Sequence, residues 1–357
     1  MVVFLNIRLK GLLVIVAVLV GLCFNVATCR DEFVVTVYVP EYRLGHVHDH
    51  TDFILPRVTD VLLFSVEPTP QGTLQATDRI LWDGQLPERF QKQARTSRGP
   101  EQADTRFSVS IGGAGRSSNF AAVASSEQLT RKFARTVRDF VDTHDLDGVD
   151  IDWEAQFQPK QVEQFFRILS TELRNGPNPV RVTVALHHFM PLPAAAYDFV
   201  DAVHLMAYDL SSGPEGHSSL KHSKQTVQMI EETGCPRSKI VLGVPAYSRQ
   251  INNPGKVKTY SELISADPSN AERDQSSEAD GFNGLPTIRA KTRWAREQGL
   301  GGIMVWEVGQ DTVDDKTSIL AAIQAEALRD GSVAKSSQPQ ESQPKRKKKK
   351  KRHRSEL

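Results

Sequence analysis

Cysteine is nearly missing from this sequence: Cys23, Cys29 and Cys235 are the only three among 357 residues. Two lie within the first thirty positions, so a mature fold without that stretch would hold one thiol and would have to rest on its apolar core. Cys235 precedes Pro236 with nothing nearby in sequence to activate it, and it reads as structural. The Asn-x-Ser/Thr acceptor is absent throughout, which removes N-glycosylation. No Gly-x-Gly-x-x-Gly follows the first strand-like run, which argues against a doubly wound dinucleotide-binding sheet. An excess of charge is lacking too, with Lys+Arg 44 against Asp+Glu 43. That balance hides an asymmetry, because ten of the basic residues fall in 335–357. The chain between the two ends is acidic, which excludes a general footprint for specific nucleic-acid binding and leaves polyanions to the tail alone.

Long apolar runs are scarce as well. The longest, Gly11–Phe24, follows Arg8 and Lys10 and precedes the small residues of Asn25–Cys29. This is the pattern of a secretory signal peptide over residues 1–29, cleaved near Cys29. An uncleaved anchor is the alternative, although the run is shorter than the ~20 residues of a comfortable span. The expected location is therefore the secretory pathway, with the product secreted or retained in the endoplasmic reticulum. Retention rests on the ending Arg354-Ser355-Glu356-Leu357, a degenerate retrieval signal. Residues 335–357 are polar, proline-punctuated and then uniformly positive from Lys345 to Arg354. Such a stretch buries too little apolar surface to fold and reads as a solvated tail that could bind an anionic surface.

Between the ends, over residues 30–334, eight apolar runs of strand length recur. They are Val34–Val39, Val58–Val66, Phe107–Ile111, Gly148–Trp153, Val180–Leu186, Ala202–Ala207, Ile240–Val244 and Gly302–Trp306. Continuous β-branched runs suit strands buried on both faces of a parallel sheet. The spacers carry helical stripes, as in Leu129, Phe133, Val137, Phe140 and Val141. Eight strand-then-helix units in one domain predict an α/β fold of the (β/α)8 TIM-barrel type. Its catalytic residues are then expected at the carboxyl ends of the strands.

The fourth run ends in Asp147-Gly148-Val149-Asp150-Ile151-Asp152-Trp153-Glu154. With a strand period of two, Asp150, Asp152 and Glu154 share one face while Val149, Ile151 and Trp153 share the other. Three successive same-face carboxylates repel and raise at least one pKa, so a proton is held among them at neutral pH. A solvated acidic edge does not fit the large apolar residues between them. Binding of a hard cation is an alternative, but the glycine-turn loop of calcium sites is missing. Acid–base catalysis by paired carboxylates is the preferred reading, with no metal and no cofactor.

That segment resembles the Asp-x-x-Asp-x-Asp-x-Glu signature of the family-18 glycoside hydrolases, the chitinase family. The resemblance extends over about residues 33–325. Ser110-Ile-Gly-Gly113 is similar to the family's third-strand motif and Met206-Ala-Tyr208-Asp209 to its sixth. Gly243-Val-Pro-Ala-Tyr247-Ser-Arg249 resembles the seventh and Gly301-Gly-Ile-Met-Val-Trp306-Glu-Val-Gly-Gln-Asp311 the eighth. The resemblance implies a barrel and a substrate-assisted, retaining cleavage of β-1,4 bonds in chitin or N-acetylglucosamine oligosaccharides. It assigns the catalytic acid and base to Glu154, orientation of the N-acetyl group to Asp152, a shared proton to Asp150, and donation to the acetamido oxygen to Tyr208. Trp306 would floor the sugar site, with Met206, Asp209, Tyr247 and Arg249 as further substrate contacts, while Asp147 would buttress the strand.

The sequence departs from many members at Ala155-Gln156 and at Ser248. Only about fifty residues separate Arg249 from Gly301, room for a loop and a helix such as Thr287–Gln298, so the small extra α+β domain of deep-cleft members is not expected. A more open groove favours endo cleavage or a short ligand over processive exo action, and a monomer is expected. Two alternatives stand beside the chitinase reading: a weakly catalytic oligosaccharide-binding lectin, and an endo-N-acetylglucosaminidase acting on N-glycans or peptidoglycan. Other signals carry less. His46-Val-His48-Asp-His50 has metal-binding residue types but no second cluster. Gly112-Gly113-Ala-Gly115 lacks the Lys-Ser/Thr of a phosphate loop and reads as close chain packing. Of His187 and His188, parity points one at the barrel mouth.

Overall fold

The computed structural model describes residues 33–81, 105–209 and 216–328, and the backbone of a short pairing between Arg8–Leu9 and Leu12–Leu13. The expected signal peptide otherwise lies outside the described residues, as does the basic tail. Each of the eight apolar runs forms a strand. They are β1 (Val34–Pro40), β2 (Asp60–Pro68), β3 (Arg106–Gly112), β4 (Gly148–Asp152), β5 (Arg181–Leu186), β6 (Ala202–Leu205), β7 (Ile240–Pro245) and β8 (Gly302–Trp306). Each pairs in parallel with its neighbours, and β1 pairs with both β2 and β8, so the sheet closes into a (β/α)8 barrel. The strands are rich in Val and Ile, whose branched side chains fit a pleated surface, and they are buried on both faces because helices cover the outside.

The helices form where apolar residues recur every three or four positions. In α1 (Glu127–Thr143) the buried set is Thr130, Phe133, Ala134, Val137 and Val141, and the Ser126 side chain accepts the Leu129 N–H at the helix start. In α2 (Pro159–Arg174), Pro159 opens the first turn, where its missing N–H costs nothing, and Val162, Phe165, Phe166, Leu169 and Leu173 face inward. These stripes meet the outward residues of β4. Trp153 stacks on Phe120 at 5.2 Å and meets the Phe165 ring at 5.7 Å. Each such ring contributes about 1.5–3 kcal/mol when fully buried. Val149, Ile151 and Trp153 thus belong to the core between barrel and helices, which leaves Asp150 and Asp152 to face the axis.

The axis holds a second, smaller core of Tyr38, Leu62, Phe64, Met206, Tyr208 and Met304 among others. Gly112 and Gly113 close the end of β3 with φ of +105° and +99°. A Cβ on Gly112 would stand 2.3 Å from the Asp152 carbonyl oxygen, and one on Gly113 would stand 2.4 Å from the Phe64 ring. The glycine pair therefore lets β3 approach β4 and β2, in line with close chain packing. At the other end of β4, Asp147 accepts the Phe107 N–H at 2.8 Å and ties β4 to β3.

Between β7 and β8 the chain makes a short ribbon, Arg249–Gln250 with Asp280–Gly281, and two helices. The sequence pointed to one helix over Thr287–Gln298. It runs from Leu285 to Glu297, two residues earlier because Pro286 sits in its first turn. The other, Tyr260–Ala266, is started by a reciprocal cap between Thr259 and Glu262. No α+β domain is inserted there.

Candidate active site

Register decides what meets inside the barrel. Ser110 of β3 pairs with Asp150 of β4, and Asp150 with Thr183 of β5, so all three side chains point into one layer at the axis. Asp150 Oδ1 accepts from Thr183 Oγ1 at 2.7 Å and lies 2.9 Å from His204 Nδ1. Its Oδ2 accepts from the Tyr38 hydroxyl at 2.7 Å and from Ser110 Oγ at 3.3 Å. Burial alone would push this carboxyl up. The charge and hydrogen bond of His204, with the donors Thr183 and Tyr38, outweigh it and hold Asp150 below its ordinary value.

Asp152, the next residue on that face, has the opposite environment. Burial, then the negative charges of Glu154 and Asp150, push it well above the usual carboxylate range. Among the described residues its buried Oδ1 has no hydrogen-bond partner. The ladder is therefore layered, with charge favoured on Asp150 and the proton on Asp152. Glu154 stands at the mouth with 23% of its side chain exposed, and its Oε2 lies 3.5 Å from His187 Nε2.

Above the ladder, at the carboxyl ends of the strands, lies a cavity of about 140 Å³. Asp152, Glu154 and His187 line it, together with Tyr38, Met206, Tyr208, Asp209 and Trp306. Trp306 is braced by Tyr38 at 5.3 Å and by the edge of Phe64 at 4.9 Å between ring centroids. Burial raises the Tyr208 and Tyr38 phenols well above their usual range, so both remain hydrogen-bond donors. Met206 and Tyr208 follow the end of β6 and share the parity of Ala202 and His204, as period two requires.

Asp209 has a left-handed backbone, φ +67°, which turns its carboxylate along the cavity wall. Its Oδ1 accepts from the Tyr247 hydroxyl and, at 2.6 Å, from Arg249 Nε. Its own N–H donates to His217 Nε2 at 3.2 Å. Burial would raise this carboxyl, but hydrogen bonds from His217, Arg249 and Tyr247 hold it low. The structure thus brings Glu154, Asp152, Tyr208, Met206, Asp209 and Trp306 together around one cavity. Asp150, Tyr247 and Arg249 lie outside its lining: Asp150 sits beneath Asp152, and the other two brace Asp209.

Tyr38, Thr183 and His204 are not singled out by the sequence motifs, which do not decide between His187 and His188 either. Parity carried the signal for two of them: His204 is two residues before Met206, and Thr183 is four before His187. A larger cavity, about 270 Å³, opens at the amino end of the strands beside Arg106, Arg181 and Lys239. It is remote from the carboxylates, at the end of a barrel where side chains serve stability. The His46 and His50 rings touch at 4.7 Å, but among the described residues no three His, Cys, Asp or Glu side chains are grouped to hold a metal ion.

The site can be set beside known proteins. Chitinase 1 of Aphanocladium album is 26% identical over 262 residues, which cover 58% of this chain and 62% of the relative. The chain thus spans less than two thirds of the length of that curated relative. A family-18 chitinase from the chitin utilization locus of Flavobacterium johnsoniae superposes with a TM-score of 0.68 at 25% identity, covering 83% of this chain and 94% of its own. A chitinase from Bacteroides thetaiotaomicron shares the fold with a TM-score of 0.70 at 18% identity, over 84% and 98% of the two chains. The sequence profile of the glycosyl hydrolases family 18 matches residues 35–311, and the chain belongs to that family.

Proposed function

We propose that this protein is a glycosidase cleaving β-1,4 bonds in chitin or other N-acetylglucosamine-containing glycans, by a retaining reaction in which the substrate's acetamido group is the nucleophile. Family 18 is one of the recognised exceptions to the two-carboxylate scheme. In this reading Glu154 gives its proton to the glycosidic oxygen as the bond to the anomeric carbon breaks. The acetamido carbonyl oxygen closes on that carbon from the opposite face. Asp152 accepts from the acetamido N–H, while Tyr208 donates to the acetamido oxygen. Water then opens the ring, returning a proton to Glu154. The sugar rests on Trp306, whose broad apolar face suits the face of a pyranose ring.

The observation that carries the reading is the layering of the ladder. An ionised Asp150 is fixed by His204 and Tyr38, and a protonated Asp152 lies above it. A solvent-reaching Glu154 stands over a cavity floored by Trp306. Such an arrangement separates the group that moves a proton from the group that orients an amide. The absence of an inserted domain between β7 and β8 supports an open groove and endo action.

The test is hydrolysis of fluorogenic di- and tri-N-acetylchitooligosaccharides by the protein, beside Glu154→Gln, which keeps the shape and cannot shuttle a proton. Activity that falls by about 10²–10⁴ in the variant supports the reading. Silence from the wild type, with tight oligosaccharide binding by calorimetry, would make the protein a lectin. Silence in both assays would turn attention to N-glycans or peptidoglycan.

A further inference from the structure

β5 ends in two histidines, and they part company. His187 enters the cavity, while His188 turns outward toward His222, whose ring lies 5.9 Å away. His187 Nε2 is 3.5 Å from Glu154 Oε2, each side chain about one fifth exposed. The imidazole lies flat on Phe189, with centroids 4.7 Å apart and planes only 11° from parallel. That stacking fixes the ring plane and covers one face of the imidazole with an apolar group, itself 63% exposed.

Glu154 needs such a partner. Its backbone N–H donates to Ser117 Oγ at 3.1 Å, which fixes the main chain, and its carboxyl shares a hydrogen bond with Asp152, an acid like itself. Among the described residues, the other titratable groups lining the cavity with the carboxyl are Asp152 from its own strand, Tyr208 and Asp209 from beyond β6, and Tyr38 from β1. All of these are acids. Among the described residues, His187 is the one side chain lining the cavity that can carry positive charge, with His188 beside it pointing away. A contact of 3.5 Å is long for a hydrogen bond, and catalytic contacts in empty sites commonly tighten when substrate arrives.

We propose that His187 is a positioning residue for Glu154, resting on the reaction proposed above: its Nε2 holds the carboxyl toward the scissile bond. Removing a donor or positive charge beside an acid lets the acid keep its proton to higher pH. The upper limb of the pH–rate profile should therefore move upward when His187 is replaced.

Two readouts test this. In the first, the Cε1–H resonance of His187 is titrated by NMR in the wild type and in Glu154→Gln. The midpoint should fall by about 0.5 pH unit or more in the variant, because a carboxylate that stabilised the imidazolium is gone. A midpoint unmoved within about 0.2 unit overturns the proposal. In the second, kcat/KM profiles are compared for wild type, His187→Ala and His187→Asn. The alkaline limb should rise by about 0.5 unit in both variants, with kcat falling more in His187→Ala, since Asn keeps a donor. Unshifted limbs would overturn the proposal. If the wild type fails to cleave chitooligosaccharides, the reaction falls, and the NMR titration alone decides the contact.

Discussion

His204 Nδ1 stands 2.9 Å from Asp150 Oδ1 at the barrel axis, where 3% and 0% of the two side chains are exposed. The pair joins β4 to β6, with Tyr38 of β1 closing the group from the far side. Because Asp150 is supplied with donors on both oxygens, the surplus proton of the ladder settles on Asp152. The charge pattern of the site is thus set one layer below the cavity.

Breaking that contact should be costly. His204→Leu would leave Asp150 buried with one partner fewer, and a loss of about 3–5 kcal/mol is expected. Urea denaturation at pH 7 measures it. A variant as stable as the wild type would show that Tyr38 and Thr183 suffice for Asp150.

Asp152→Asn should separate stability from chemistry. A carboxyl raised on folding lends stability that is full below about pH 3.9 and is lost as pH rises toward the folded value. Asn does not titrate, so the variant should gain on the wild type as pH rises, while kcat falls by about a hundredfold with KM little changed. Parallel stability curves between pH 4 and 8 would contradict the raised carboxyl.

Lys291 makes a second pH test, away from the cavity. It is fully buried, and its Nζ donates to Ser218 O at 2.5 Å and Asn283 Oδ1 at 2.8 Å. Burial pulls its pKa down to about 7. Between that value and the ordinary lysine value the unfolded chain binds the extra proton, so stability rises with pH, by up to about 1.4 kcal/mol per unit. Lys291→Met should remove this slope between pH 7 and 10. Identical slopes for the two proteins in denaturant titrations would refute it.

Trp306→Ala removes the cavity floor. A loss of about 2 kcal/mol of sugar contact, roughly thirtyfold in kcat/KM, is expected from the aromatic area involved. An unchanged rate on chitooligosaccharides would mean that the sugar binds elsewhere in the groove.

Local pattern was enough for several of these elements. Period two on β4 assigned Asp150 and Asp152 to one face and Trp153 to the other, and the helical spacing of Phe133, Val137 and Val141 marked α1. Both are properties of the backbone repeat, so neighbours in sequence suffice to reveal them. The helix Tyr260–Ala266 escaped notice because it is barely two turns long, and its stability comes from the Thr259–Glu262 cap and the burial of Tyr260 and Leu263.

The sequence by itself determined the eight strands, their closure into a barrel and the face on which three carboxylates sit, because apolar runs and strand parity are written residue by residue. Only the tertiary structure decided which carboxylate holds the proton, which of two adjacent histidines faces Glu154, and that Tyr247 and Arg249 brace Asp209 outside the cavity lining. Those outcomes depend on partners far apart in the chain, such as Tyr38 and His204 around Asp150, and on burial that exists only when the strands meet. Charge and proton follow distance and solvent access, and neither is defined until the barrel has closed.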